Sequence, residues 1–140
     1  MTEYTSEQVR DLIPQREPMV MIDGVKCDNT SFYTTLTIRA NNFFIAGDTL
    51  IEAGLVEHTA QSAAARVGLQ AQAYAEAPHI GYIGEVKYFT IHRLPHIGET
   101  LQTEIQIVTV VEPITVVESL TMAGNDMIAT GKLKVFITNE

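Results

Sequence analysis

Apolar residues come in short runs in the first third of the chain and alternate with polar ones in the last. Between them lies one long helical pattern, Glu52 to Gly68. Placed on a wheel at about 100° per residue, it has an apolar side of Val56, Ala60, Ala63 and Val67. Thr59, Ser62, Arg66 and Gln70 form its polar side. Glu57 and Gln61 belong to neither. They lie in a narrow stripe with Gly54, Ala64 and Gly68, at i, i+3, i+4 spacing, and so share one face. Side chains this small let another backbone approach closely. The stripe therefore predicts a helix wrapped on most sides, with one acid and one amide aimed into a tight space. From pattern alone, Glu57 at the edge of an ordinary amphipathic helix is the alternative. The helical pattern fades over Tyr74–Pro78.

Upstream, Thr5 to Ile13 predicts a short helix, with Thr5 as N-cap and Gln8 completing a capping box. Pro14 ends it. Pro14 to Pro18 is then a stiff extended connector carrying Gln15 and Arg16. The apolar run Met19–Ile22 reads as a buried strand, followed by a turn at Asp23-Gly24. Asp28-Asn29 marks a second turn, and Phe32–Ala40 a second strand. Asn41-Asn42 closes that strand, and the chain is irregular up to Leu50, punctuated by Gly47-Asp48.

Downstream, Gly81 and Gly84 open a strand over Glu85–Arg93, broken at Leu94–Gly98. Leu101, Thr103, Ile105 and Ile107 alternate with polar residues, so one face is buried. Glu112-Pro113 turns into a strand over Ile114–Met122. Ala123–Asp126 is a hairpin turn, and Ala129, Gly131, Leu133, Val135 and Ile137 give the last strand a period of two. No repeat or linker interrupts the 140 residues, which predict a single domain, 1–140. The order is short helix, two strands, long helix, four strands. A lone long helix followed by an antiparallel meander must bury its apolar face against that sheet. The expected fold is therefore α+β, a hot dog: an antiparallel sheet wrapped around one long central helix, with an edge strand free to pair with a second copy.

Composition narrows the function classes. Hydrophobic residues at 46% and charged residues at 19% are globular values, and the length suffices for a core without staples. A formal net charge of −8 and the lack of a basic patch argue against nucleic acid as a partner. An acidic carrier protein would need a local basic spot, for which Arg16, Lys87, Arg93, Lys132 and Lys134 are candidates. Cys27 is the only cysteine, which excludes an internal disulfide and fits a reducing compartment. Its role reads as structural. Met1–Tyr4 carries no basic or apolar leader, and no apolar run approaches spanning length. The expectation is a cytoplasmic protein with no membrane partner. No His/Cys/Asp/Glu spacing suits a metal, and no phosphate loop or serine elbow is present. No cofactor is expected.

Three segments carry a family resemblance. Ile13-Pro14-Gln15-Arg16-Glu17-Pro18-Met19-Val20-Met21-Ile22-Asp23 resembles the N-terminal signature of bacterial 3-hydroxyacyl-(acyl carrier protein) dehydratases, Leu-Pro-His-Arg-x-Pro, four apolar residues, then Asp. Gly54 to Gln61 is similar to that family's Gly-Val-(apolar)-(apolar)-Glu-x-x-Ala-Gln, one residue shorter before the acid. Arg93 to Leu101 is similar to its Arg-Pro-x-x-Pro-Gly-Asp-x-Leu. The resemblance spans nearly the whole chain and implies the hot-dog fold. Two departures stand out. The family's Phe-Pro-Gly-His-Phe-Pro loop is replaced by Asn42–Gly47, and Gln15 stands where the catalytic histidine belongs.

In those dehydratases, a His and a Glu from facing subunits remove the C2 proton and protonate the departing C3 hydroxyl. Such work needs groups whose pKa values burial can push towards neutrality. A glutamine amide orients partners but does not titrate usefully. The resemblance makes Glu57 and Gln15 the catalytic candidates, and Gln61, Gly54 and Gly84 the substrate-binding ones. The thioester carbonyl would draw on N–H donors at the helix N-terminus near Gly54. His58, about 100° round the helix from Glu57, is expected to leave the tunnel. His79 and His96 read as surface residues, and His92 could face either way.

Three functions stay open. The first is a dehydratase-like lyase of fatty-acid-type, polyene or related pigment biosynthesis. The second is a hot-dog thioesterase using a helix carboxylate without histidine. The third is a non-catalytic acyl-binding subunit paired with an active dehydratase. Expected partners are an acyl carrier protein or CoA thioester, and a homodimer, a higher oligomer of dimers, or a heterodimer.

Overall fold

The computed structural model describes residues 1–72 and 80–138. The expected fading of the helix over Tyr74–Pro78, and His79, lie outside these residues. In chain order the elements are β1 (Thr2–Tyr4), α1 (Ser6–Val9), β2 (Gly24–Cys27), β3 (Phe32–Thr37), β4 (Ile45–Ala46), β5 (Thr49–Leu50), α2 (Glu52–Gln72), β6 (Ile80–Ile91), β7 (Thr100–Val111), β8 (Ile114–Ala123) and β9 (Asp126–Thr138). Seven strands form one antiparallel sheet in the order β1-β2-β3-β7-β8-β9-β6, and β4-β5 form a small separate ribbon. The helix α2 packs against β3, β6, β7, β8 and β9. The architecture is the hot dog.

Local chemistry explains most of the elements. The capping box forms as expected: Thr5 Oγ1 accepts from Gln8 N–H, and Gln8 Oε1 accepts from Thr5 N–H at 2.9 Å. The helix α1 is nevertheless only four residues long. In β8 the residues Thr115, Val117, Ser119, Thr121 and Ala123 turn inward and are buried, while their neighbours are less so.

Four expectations need correction. Met19–Ile22 is buried at Met21 and Ile22 but is not a strand; it is an extended strap held by side chains of α2 rather than by a ladder. Gly24, expected in a turn, begins β2. The strands after α2 are not a simple meander. β6 lies beyond β9 at the sheet edge, while β7 joins β3. Finally, Thr59 and Ser62, assigned to the polar side of α2, are fully buried. Their hydroxyls donate to the carbonyls of Leu55 and His58 one turn back, both at 2.8 Å, and Ser62 meets Thr34 of β3 at 2.7 Å.

The small-residue stripe does bring backbone close. A Cβ added to Gly81 of β6 would stand 2.8 Å from the Ala64 carbonyl oxygen. Two core clusters flank the helix: one includes Ala63, Ala65, Val67, Ile105 and Val135, the other Met21, Leu55, Leu101 and Ile128.

Candidate active site

Glu57 sits in the second turn of α2, half-buried, and Gln61 lies one turn on and 1% exposed. Their spacing of four places them on one helix face. Gln61 Nε2 donates to Glu57 Oε2 at 2.7 Å and to the Met19 carbonyl at 2.6 Å. Its Oε1 accepts the Met21 N–H at 2.7 Å. Both amide protons are thus used inside the protein.

His58 does not leave the interior; it is 0% exposed. Its Nδ1 lies 2.7 Å from the Met21 carbonyl, and its Nε2 lies 2.8 Å from Thr103 Oγ1. A carbonyl only accepts, so Nδ1 carries the proton, and neutral Nε2 accepts from the Thr103 hydroxyl. Thr103 Oγ1 then accepts from Thr121 Oγ1, 2.7 Å away. Burial pushes the imidazole pKa down, outweighing the Met21 carbonyl and Asp23, which raise it. The ring is therefore neutral and anchors the strap. The strap's far end is fixed as well: Asp23 Oδ2 accepts from Thr37 N–H at 2.7 Å and pairs with Arg39 at 3.0 Å.

Gln15 is half-buried, and its Oε1 is buried with no hydrogen-bond partner among the described residues. No hydrogen bond joins it to Glu57 within the described part of the chain. Gly54 is a packing residue. A Cβ there would meet Phe44 Cβ at 2.7 Å and Leu50 Cδ1 at 2.8 Å. The Gly54 N–H itself donates to the Ile51 carbonyl at 2.9 Å and so is not among the free donors expected near it. Gly84 lies exposed on β6 where the register with β9 shifts. A Cβ there would collide with the Phe136 ring, so its absence makes room for that ring. Glu57 and Gln61 are thus brought together by the fold, whereas Gln15 and Gly84 form no hydrogen bond with either among the described residues.

Most of the basic candidates are engaged. Arg93 grips Glu99 through two bonds of 2.9 and 2.7 Å and reaches Asp126 at 3.0 Å. Lys87 and Lys134 both pair with Glu85. Arg16 donates to the carbonyls of Ile13 and Gln15. Lys132 has no ion-pair partner among the described residues. Two surface hollows of about 490 and 470 Å³ are not lined by Glu57, Gln61 or Gln15; one lies over Tyr88, Glu118 and Lys132, the other over Cys27, Phe32 and Arg66. Among the described residues no cluster of three His, Cys, Asp or Glu side chains could hold a metal, and no helix is long and apolar enough to cross a membrane.

A glutamate on the central helix, clamped by an amide one turn on and facing a strap with a Pro-Gln-Arg-Glu-Pro lead-in, is now in place. A family model described as ApeP-like, ApeP dehydratase, matches residues 7–140. The chain belongs to the ApeP-like dehydratase family.

Solved structures agree on the fold of this ApeP-like chain. It is similar to the dehydratase heterocomplex ApeI:P from Xenorhabdus doucetiae, with a TM-score of 0.83 at 18% identity, covering 94% of this chain and 91% of that one. It is also similar to Cj0977, a sigma28-regulated virulence protein from Campylobacter jejuni (TM-score 0.68, 16% identity, 96% and 90% covered). A third likeness is to a hypothetical thioesterase with coenzyme A from Streptococcus pneumoniae TIGR4 (TM-score 0.67, 10% identity, 83% and 85% covered). Comparison with curated proteins finds no match.

The sequence reading missed Thr103, Thr121 and the anchoring role of His58. A signal was present: Thr103 stands in the buried register of β7, between Leu101 and Ile105.

Proposed function

We propose that this ApeP-like chain is a single-domain, cytoplasmic 3-hydroxyacyl-thioester dehydratase, a lyase of fatty-acid-type, polyene or related pigment biosynthesis. It converts a 3-hydroxyacyl thioester on an acyl carrier protein or CoA to the trans-2-enoyl thioester. The observation that carries the reading is the Glu57 carboxylate, half-buried on the central helix and held by Gln61 at 2.7 Å.

Dehydration takes a proton from C2 and delivers one to the C3 oxygen as the C3–O bond breaks and water leaves. A single carboxylate balances that step. Glu57 accepts the C2 proton, and the resulting carboxylic acid returns it to the departing hydroxyl. Gln15 does not titrate, so its amide can only orient a partner and cannot carry the proton. The donors of Gln61 are spent on Met19 and Glu57, so it orients the acid rather than the substrate.

Gln15 also favours a second reading, in which the titrating partner comes from another subunit. The likeness to a dehydratase heterocomplex supports a pairing of this chain with a second dehydratase-like protein, alongside a homodimer or a higher assembly built on the free edge of β6.

The test is product analysis of the purified protein on 3-hydroxyacyl and saturated acyl thioesters. Enoyl product that disappears in Glu57→Ala supports the dehydratase. Free thiol without enoyl product would replace it with a thioesterase. Turnover of neither, with a second dehydratase co-purifying, would leave the chain as an acyl-binding subunit.

A further inference from the structure

Six residues are linked by two runs of hydrogen bonds that meet at the Met21 backbone, and within each run the donors point the same way. Thr121 Oγ1 donates to Thr103 Oγ1 and Thr103 Oγ1 to His58 Nε2; His58 Nδ1–H donates to the Met21 carbonyl. The peptide group on the other side of Met21 begins the second run, Met21 N–H to Gln61 Oε1 and Gln61 Nε2 to Glu57 Oε2. Each link is 2.7 or 2.8 Å. Aligned donors polarise one another, and in a dry interior an unfilled position in such a chain is costly. Met21 is the pivot: the peptide group after it is held at its carbonyl by His58, and the peptide group before it is held at its N–H by Gln61.

We propose that His58 is a positioning residue for Glu57, acting through the strap backbone on either side of Met21 and through Gln61. This rests on Glu57 being the acid of the proposed reaction. Without the Nδ1–H bond the strap backbone can turn at Met21, Gln61 Oε1 loses its fixed N–H donor, and the amide no longer aims at Glu57.

Two substitutions separate this role from packing. Asparagine places an amide N–H where Nδ1–H stands, whereas glutamine places its amide near Nε2 and leaves the Met21 carbonyl without a donor. In His58→Gln, kcat falls about 10- to 100-fold with KM nearly unchanged, the size expected of a small misplacement of a reacting group. His58→Asn restores most of it. Equal kcat values in His58→Gln and the wild type would overturn the proposal, as would a His58→Asn enzyme no better than His58→Gln. Two NMR readouts need no turnover. The imidazole nitrogens should report a neutral Nδ1–H ring across roughly pH 6–8, within the range where an ordinary histidine titrates. The Gln61 side-chain protons should exchange slowly in the wild type and His58→Asn, and quickly in His58→Gln. An Nε2–H ring, or equal exchange in all three proteins, overturns the positioning role. Full activity in Glu57→Gln with those NMR results intact would instead overturn the proposed reaction.

Discussion

Replacing Gln61 by leucine removes the clamp while keeping nearly the same volume. The loss is therefore of hydrogen bonds rather than of packing. Met21 is 0% exposed, and its N–H has Gln61 Oε1 as its partner at 2.7 Å. Leaving a buried N–H unpaired costs about 1–3 kcal/mol. The Met19 carbonyl also loses its donor, but Met19 is half-buried and water can replace it. A net loss of about 2 kcal/mol follows, against a total stability of about 5–15 kcal/mol. For a chain of this size that lowers Tm by roughly 6 °C. Urea melts give the global loss, and hydrogen exchange at the Met21 amide gives the local one, which should lose most of its protection. A Gln61→Leu protein within about 0.5 kcal/mol of the wild type, with Met21 still protected, would refute the clamp.

Three further outcomes are expected. Gly54→Ala gains about 1 kcal/mol of helix propensity. The new Cβ, however, meets Phe44 and Leu50 at 2.7 and 2.8 Å, and overpacking of about 1–3 kcal/mol outweighs that gain; a more stable variant in urea would contradict the close approach. Arg93, followed by the His96 N–H, holds Glu99 at about 2, below its ordinary 4.5. A depressed carboxylate stabilises the fold above its ordinary pKa and loses that contribution as pH falls from 4.5 to about 2. Glu99→Gln should flatten the acid limb of stability over that window, and an unchanged slope would count against the Arg93–Glu99 pair. β6 has β9 on one side and no strand on the other among the described residues, so the protein should sediment as a dimer or larger at micromolar concentration. A strict monomer would remove the cross-subunit site.

Much of the architecture was legible because its signals are local. The Thr5–Gln8 box, the 3.6-residue pattern from Glu52 onward and the alternation from Leu101 to Ile137 each depend on neighbouring residues alone. The strap was misread for the opposite reason. Met19–Ile22 looks like any buried extended run, and whether its backbone pairs with a strand or with side chains depends on Gln61 and His58, about 40 positions away. His58 points away from Glu57, which suggests that it leaves the tunnel but does not say where it goes; it is fully buried. On a helix wrapped by five strands, away from one face is towards another. Thr59 and Ser62 misled similarly: hydroxyls that bond to their own helix's carbonyls can be buried without an apolar signature. Of the site, Glu57 and Gln61 were readable from their shared face. The relation of Gln15 to Glu57 was not: the two share no local pattern, and no hydrogen bond joins them among the described residues.

The most direct measurement is the rate of trans-2-enoyl thioester formation from a 3-hydroxyacyl thioester, comparing Glu57→Gln with the wild type in the same assembled state. Glutamine preserves size and hydrogen bonding but cannot carry the proton. The rate should fall by at least about 100-fold, as for loss of a general acid–base group, with stability and sedimentation unchanged. Equal rates would show that the central-helix glutamate is not the group that moves the proton.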